Sequence, residues 1–317
     1  MDDYEAACAA ARAVAARNRK AFADAYRRDT RNWKLERDDE IFLERITTRP
    51  ICGRALLSNM HVQRRAQEAL IGAIVEARRL DPHRKWLWIT ITSDHGLTLE
   101  REPFIDYVSL RGTFEHHLRR CGLHGFGVVE VDTWKNLTGE DGRRMVPHAH
   151  FLGYRADGAR VGVRALEREL CSRRALTNSL GARGAVVQNV KPGLENFARV
   201  GRYQFKCPTY AKMLRPETDE RRGRLKPVGH ARGAVARLIE IFSRIEVGDT
   251  MFSIGGGRAI AERVRREVAD EVRERRGATE APSRDAVARH WLRIRLTNGQ
   301  SNMRAPIIIT RKEDRMG

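Results

Sequence analysis

Gly127-Val128-Val129-Glu130-Val131-Asp132 and, after a turn, Met145-Val146-Pro147-His148-Ala149-His150-Phe151-Leu152-Gly153-Tyr154 are the stretches on which the fold turns. Both are rich in β-branched, aromatic and aliphatic residues, with polar groups at alternate positions, which is the pattern of a strand. Asn136 to Gly142 supplies turn chemistry between them, so the pair predicts an antiparallel hairpin. Trp86-Leu87-Trp88-Ile89-Thr90-Ile91-Thr92 predicts an earlier strand, and Ala185-Val186-Val187-Gln188-Asn189-Val190 a later one. Pro103 opens a helix that reaches about Arg120, with Gly122 as its stop. Another helix is expected over residues 163–173. Pro192 begins a third, which Pro208 must end. Strand, helix, strand, strand, helix, strand, helix across 86–207 suits an antiparallel sheet backed by helices. The expected class is α+β, of ferredoxin-like or RRM-like form.

The flanks read as helical extensions. Residues 1–45 are rich in alanine and charge, and a helix spans Met60 to Leu80. Residues 215–233 are dense in Arg, Gly and Pro and predict a basic loop. Helices are expected at 231–246 and 257–276. A loop at Ala278–Ser283 precedes a last helical stretch, and Ile307-Ile308-Ile309 reads as a short strand. The chain thus divides into a helical extension (1–80), a core (81–213) and a basic, mainly helical DNA-binding or accessory region (214–317).

Charge points to the partner. Among 317 residues, 60 Lys and Arg face 41 Asp and Glu, leaving +19, a field that attracts polyanions and above all nucleic acid. The plainer reading of that charge is a basic protein of an arginine-rich proteome or a ribosome-associated one. Cys8, Cys52, Cys121, Cys171 and Cys207 are scattered, with no C-x-x-C pair, which argues against a zinc ribbon or a disulfide framework. Met1-Asp2-Asp3-Tyr4-Glu5 lacks the order of a signal peptide, and no apolar run approaches membrane-spanning length. A cytoplasmic location with no membrane partner is expected.

His148-Ala149-His150 puts two imidazoles on one face of a strand, a spacing suited to chelation of one ion. Two solvated strand histidines would read the same way. A turn near Gly139 brings Glu130 opposite His148 or His150 on that face, completing an open site for Mg²⁺ or Mn²⁺. Asp132 shares the parity and is the substitute third ligand, or else an exposed acid of the hairpin. Glu130 lies among valines, where an unpaired carboxylate is costly. The helix Leu194-Glu195-Asn196-Phe197-Ala198-Arg199-Val200-Gly201-Arg202-Tyr203-Gln204-Phe205-Lys206 packs through Leu194, Phe197, Ala198, Gly201 and Phe205. Tyr203 faces the other way, with Arg199 one turn before and Lys206 one turn after. Phenols ionise near about pH 10, and neighbouring cations favour the nucleophilic phenolate. Tyr210, beyond Pro208, is the alternative nucleophile, and a surface tyrosine with no chemistry is the plainer reading of Tyr203.

These elements resemble the three motifs of HUH endonucleases, specifically the rolling-circle replication initiators of plasmids and phages. Trp88-Ile89-Thr90-Ile91-Thr92 resembles the hydrophobic-threonine strand, Pro147-His148-Ala149-His150-Phe151-Leu152 the metal-binding motif, and Tyr203-Gln204-Phe205-Lys206 the tyrosine motif. The likeness covers about 120 residues of the centre. It implies Tyr203 and Lys206 as catalytic residues, a metal at His148, His150 and Glu130, and DNA contacts by Arg199, Arg202 and Lys212. The implied reaction nicks single-stranded origin DNA, leaving a 5′-phosphotyrosine and a free 3′-hydroxyl, and later rejoins strands. Some plasmid initiators carry a glutamate where Arg199 stands, so a homodimer whose second subunit supplies another tyrosine suits this chain. Two-tyrosine initiators space their tyrosines more closely than Tyr203 and Tyr210. Gly255-Gly256-Gly257-Arg258 lacks the lysine of a phosphate-binding loop, so a separate host helicase is expected to unwind the origin. A relaxase or single-strand transposase shares the chemistry, and a non-catalytic ferredoxin-like nucleic-acid-binding protein shares the shape.

Overall fold

The computed structural model describes residues 3–99, 105–135, 143–157, 162–177, 179, 183–214, 225–273, 275 and 277–298. Helices α1 (Asp3–Thr30) and α2 (Arg37–Thr47), strand β1 (Ile51–Cys52) and helix α3 (Met60–Leu80) come first. Strands β2 (Leu87–Thr92) and β3 (Thr98–Leu99), helix α4 (Tyr107–Arg120) and the long strands β4 (Leu123–Lys135) and β5 (Arg143–Arg155) follow. Then come α5 (Val163–Cys171), β6 (Ala185–Asn189), α6 (Leu194–Tyr203), β7 (Ala211–Leu214) and β8 (Leu225–Val228). The chain continues through α7 (Ala234–Phe242), α8 (Val247–Thr250), β9 (Met251–Ile254), α9 (Arg258–Arg273), β10 (Thr279–Glu280) and α10 (Arg284–Thr297).

The main sheet runs β6-β2-β5-β4-β7-β8, with β3 on β5 and β9 on β4. Pairing is antiparallel except between β4 and β7, so the molecule is α+β with a mixed sheet. Ile89, Ile91, Val129, Val131, Ala149, Phe151, Ala185 and Val187 alternate onto one face and are buried. They join Leu110, Phe114 and Leu118 of α4 and Leu166 and Leu170 of α5 in a single core. The opposite face carries the polar positions. There α6 covers one end, where Phe197 meets Trp86 edge-on at 5.9 Å.

Local chemistry sets the element ends. Asn59 caps α3 by accepting from the His61 and Val62 N–H groups, and Asp106 caps α4 by accepting from Ser109. Because of that cap, α4 begins at Tyr107; Pro103 lies outside the described residues. Gly122 stops α4 in the left-handed region, at φ 67°. Gly201 brings α6 against α3, since a Cβ there would stand 3.0 Å from Ile71 Cα.

Several expectations are corrected. The helix after β6 ends at Tyr203, not near Pro208, because Gln204 is extended and Phe205 takes a left-handed φ of 55°. The hairpin strands are longer than the stretches that announced them; their turn, Asn136–Gly142, lies outside the described residues. So do residues 215–224 of the expected basic loop and Ile307-Ile308-Ile309, while 225–228 form a strand. The helix expected over 231–246 is the shorter α7, Ala234–Phe242, while α8 and the strand Met251-Phe252-Ser253-Ile254 beyond it are absent from the sequence reading. That strand pairs with Gly125–Val128, where Gly127 leaves room for the Phe252 ring, 2.3 Å from the position a Cβ would take. Packing crosses the expected boundaries near 80 and 214: residues of α1, α3, α7 and α9 belong to the same core as the sheet, and β1 pairs with β10. Among the described residues no helix is long and apolar enough to cross a membrane.

Candidate metal centre

Three neighbouring strands build the site from directly paired residues. Glu130 of β4 stands opposite His148 of β5, and Thr92 of β2 opposite His148 from the other side. His150 lies between Val128 and Thr90. Period two then sends Glu130, Asp132, His148, His150 and Thr90 to one face. The open alternative in the sequence, Glu130 opposite His148 or His150, resolves to His148.

Glu130, His148 and His150 are buried, and one ligand atom from each lies within 4.8 Å of the others. Glu130 Oε2 is 3.7 Å from His148 Nε2 and 3.6 Å from His150 Nε2. The tautomer of His150 follows from its contacts. Lys206 Nζ, which can only donate, lies 3.4 Å from Nε2, so the ring proton sits on Nδ1, which donates to Thr90 Oγ1 at 3.0 Å. Trp88 stacks on the same ring at 4.8 Å and 19°. A carboxylate is also oriented: Glu130 Oε1 accepts from the backbone N–H of Lys206 at 3.3 Å.

Two site atoms are left over. Glu130 Oε2 and His148 Nε2 are buried without a hydrogen-bond partner. Their polar neighbours stand at 3.5 Å or more, namely Lys206 Nζ at 3.5 Å from Glu130 Oε2 and Asp132 Oδ2 at 3.6 Å from His148 Nε2. Buried polar atoms held this loosely are costly unless something closer binds them. A divalent ion with ligand distances of about 2.1 Å would satisfy them, and the donor set fits one. The residues can hold a metal.

Protonation agrees with that use. Burial drives both imidazoles down, His148 to about 3 and His150 well below its ordinary value, so both are neutral ligands. Burial pushes Glu130 up to about 7, against the pull of Lys206 and with the push of Asp132. Asp132 is also desolvated, yet the Lys212 ammonium, in contact with its carboxylate, holds it well below the carboxylate range. An ion held there would bind ionised Glu130, so below pH 7 a proton would have to leave first. Mn²⁺ affinity is therefore expected to fall about tenfold per pH unit below pH 7 and to level off above it. Titration of free Mn²⁺ by electron paramagnetic resonance between about pH 5 and pH 8 checks this. A flat profile removes Glu130 from the ligand set, and a two-proton slope means that a histidine is charged.

The other expected site residues fall into two groups. Tyr203 closes α6 and is 41% exposed. Lys206 is not one helical turn beyond it, as the sequence suggested; the Phe205 turn carries it off the helix and into the cage. There the ammonium is 3.4 Å from His150 Nε2 and 5.9 Å from the Tyr203 ring centroid, which links the imidazoles to the phenol. Arg202 lies over the Tyr203 ring at 5.3 Å. Arg199 is exposed on α6 and donates to Asn196. Lys212, expected to meet DNA, is committed to Asp132, because β7 pairs in parallel with the end of β4. Asp132 is buried, not an exposed hairpin acid. Tyr210 is exposed just before β7. Thr90 and Trp88, which fix His150, are legible in the sequence as part of the motif-like strand but not as partners of a histidine; their strand was visible, but its register against His150 was not.

No family model, no curated protein and no solved structure matches the chain.

Proposed function

We propose that this protein is a metal-dependent DNA nicking and joining enzyme of the HUH class, a rolling-circle replication initiator with Tyr203 as nucleophile. The observation that carries the reading is the buried cage of Glu130, His148 and His150, joined through Lys206 to an exposed tyrosine at a helix end. The strand order supports it. β6-β2-β5-β4, with α4 and α5 as crossovers, is the order that a ferredoxin-like unit requires. The +19 charge suits single-stranded origin DNA as substrate, opened by a separate helicase.

An ion held by Glu130, His148 and His150, Mg²⁺ or Mn²⁺, would supply Lewis acidity to the scissile phosphate. The chain's own groups do the rest. Tyr203 Oη bonds to phosphorus as the bond from phosphorus to the 3′-oxygen breaks. The phenolic proton passes to water, and the departing oxygen takes one up as a 3′-hydroxyl. One phosphodiester is exchanged for another, so the reverse attack rejoins strands. Arg202 and Lys206, the cations beside the ring, neutralise the phosphate. Arg199 grips the flanking backbone from the exposed side of α6.

Incubation with a labelled pool of single-stranded oligonucleotides and Mn²⁺, followed by a denaturing gel, tests the reading. The expected product is a covalent protein–DNA adduct that maps by mass spectrometry to the Tyr203 peptide. Binding with no adduct makes the protein a non-catalytic nucleic-acid-binding module, and an adduct on Tyr210 moves the nucleophile.

A further inference from the structure

We infer that Lys206 is a resident cation of the cage, that a divalent ion must displace it, and that the displaced ammonium serves the phosphate beside Tyr203. The inference rests on the reading of Glu130, His148 and His150 as a metal cage.

Three atoms make the case. His150 Nε2, Glu130 Oε2 and Lys206 Nζ form a nearly equilateral triangle, with sides of 3.6, 3.5 and 3.4 Å. An ion bound to the first two at about 2.1 Å would stand roughly 2–4 Å from the ammonium, beside buried Glu130 and His150, where screening is weak. Two cations do not share such a point. The conflict is also one of orbitals. With its proton on Nδ1 and turned to Thr90, His150 has one lone pair, on Nε2, and the ammonium already faces it. That lone pair serves the lysine or the metal, not both.

The backbone is built for an exchange. The Lys206 N–H holds Glu130 Oε1 whatever the side chain does, so the carboxylate keeps its aim when the ammonium leaves. Just before it stand the one non-glycine residue with positive φ among those described, Phe205, and a carboxamide, Gln204, fully buried with both polar atoms unpartnered. Strain and unsatisfied polar groups concentrate where a segment has a second arrangement available. The way out is short, since the Tyr203 ring centroid is 5.9 Å from Nζ. Metal loading and delivery of positive charge to the nucleophile are then one event.

Two measurements with metal alone test this, and neither reads nicking. Lys206→Met removes the competing cation at nearly constant volume, so Mn²⁺ should bind about tenfold or more tighter than to the wild type. In the wild-type protein, Mg²⁺ should speed amine labelling of Lys206, read by mass spectrometry, by about fivefold or more. Lys212, paired with Asp132, should label at its metal-free rate and serves as the internal reference. Equal or weaker Mn²⁺ binding by Lys206→Met, or unchanged or slower labelling of Lys206, overturns the exchange while leaving the cage intact. Absence of Mn²⁺ binding by both proteins overturns the cage and the exchange with it.

Discussion

Tyr203→Phe is expected to abolish the covalent protein–DNA adduct, a loss of roughly 10⁴-fold or more in nicking rate, with folding unaffected. The substitution deletes one oxygen, the atom that would bond to phosphorus, and leaves no other group in its place. Its specificity comes from the surroundings. Tyr203 is 41% exposed at the end of α6, and its ring rests against Arg202 and Lys206, contacts that phenylalanine retains. Stability should therefore change by less than about 0.5 kcal/mol. Affinity for single-stranded DNA should stay within about twofold, since no charge is lost. Adduct yield on denaturing gels, thermal melting and filter binding measure the three quantities. A Tyr203→Phe protein that still forms the adduct at the wild-type rate would sink Tyr203 as nucleophile and leave Tyr210 as the alternative.

His148→Ala should lower nicking by about 10³-fold or more while DNA affinity is preserved. His148 presents its Nε2, buried and unpartnered, to the same point as Glu130 Oε2, so its removal would leave an ion there with two protein ligands. Burial holds its pKa down to about 3, so the ring is neutral across the working pH range and contributes nothing to phosphate attraction. The two readouts must separate: cleavage collapses and binding does not. Thermal stabilisation by Mn²⁺, expected in the wild type through binding to the folded state, should vanish in the variant. Cleavage by His148→Ala at the wild-type rate in micromolar Mn²⁺ would remove the metal from the mechanism. Loss of DNA affinity in parallel with cleavage would mean that His148 supports the fold of the sheet face and not the chemistry.

What could be read in the chain was whatever depends on neighbours in sequence. Alternation placed His148, His150 and Glu130 on one face of a hairpin, and a helix was legible at Met60–Leu80, where α3 stands. The strand and helix order of the centre followed from the same periodicities. Periodicity says which way a side chain faces but not which residue of another strand it meets. The pairing of Glu130 with His148, and of Thr90 with His150, is a matter of register and appeared only with the sheet assembled.

The lysines show the same boundary more sharply. Read as a helix, residues 194–206 set Lys206 in a solvent-facing stripe, because nothing local announces that Phe205 adopts a left-handed φ. That conformation goes with burial of the Phe205 ring in the core, and it sends Lys206 into the cage. Lys212 reaches Asp132 only because β7 runs parallel to β4, a contact between residues eighty positions apart. Short-range chemistry thus determined most of the elements of the centre and the faces of the hairpin. Long-range packing decided the register, the turn at Phe205 and the placement of both lysines, because such choices are made by which surfaces bury each other, and local sequence carries no record of that.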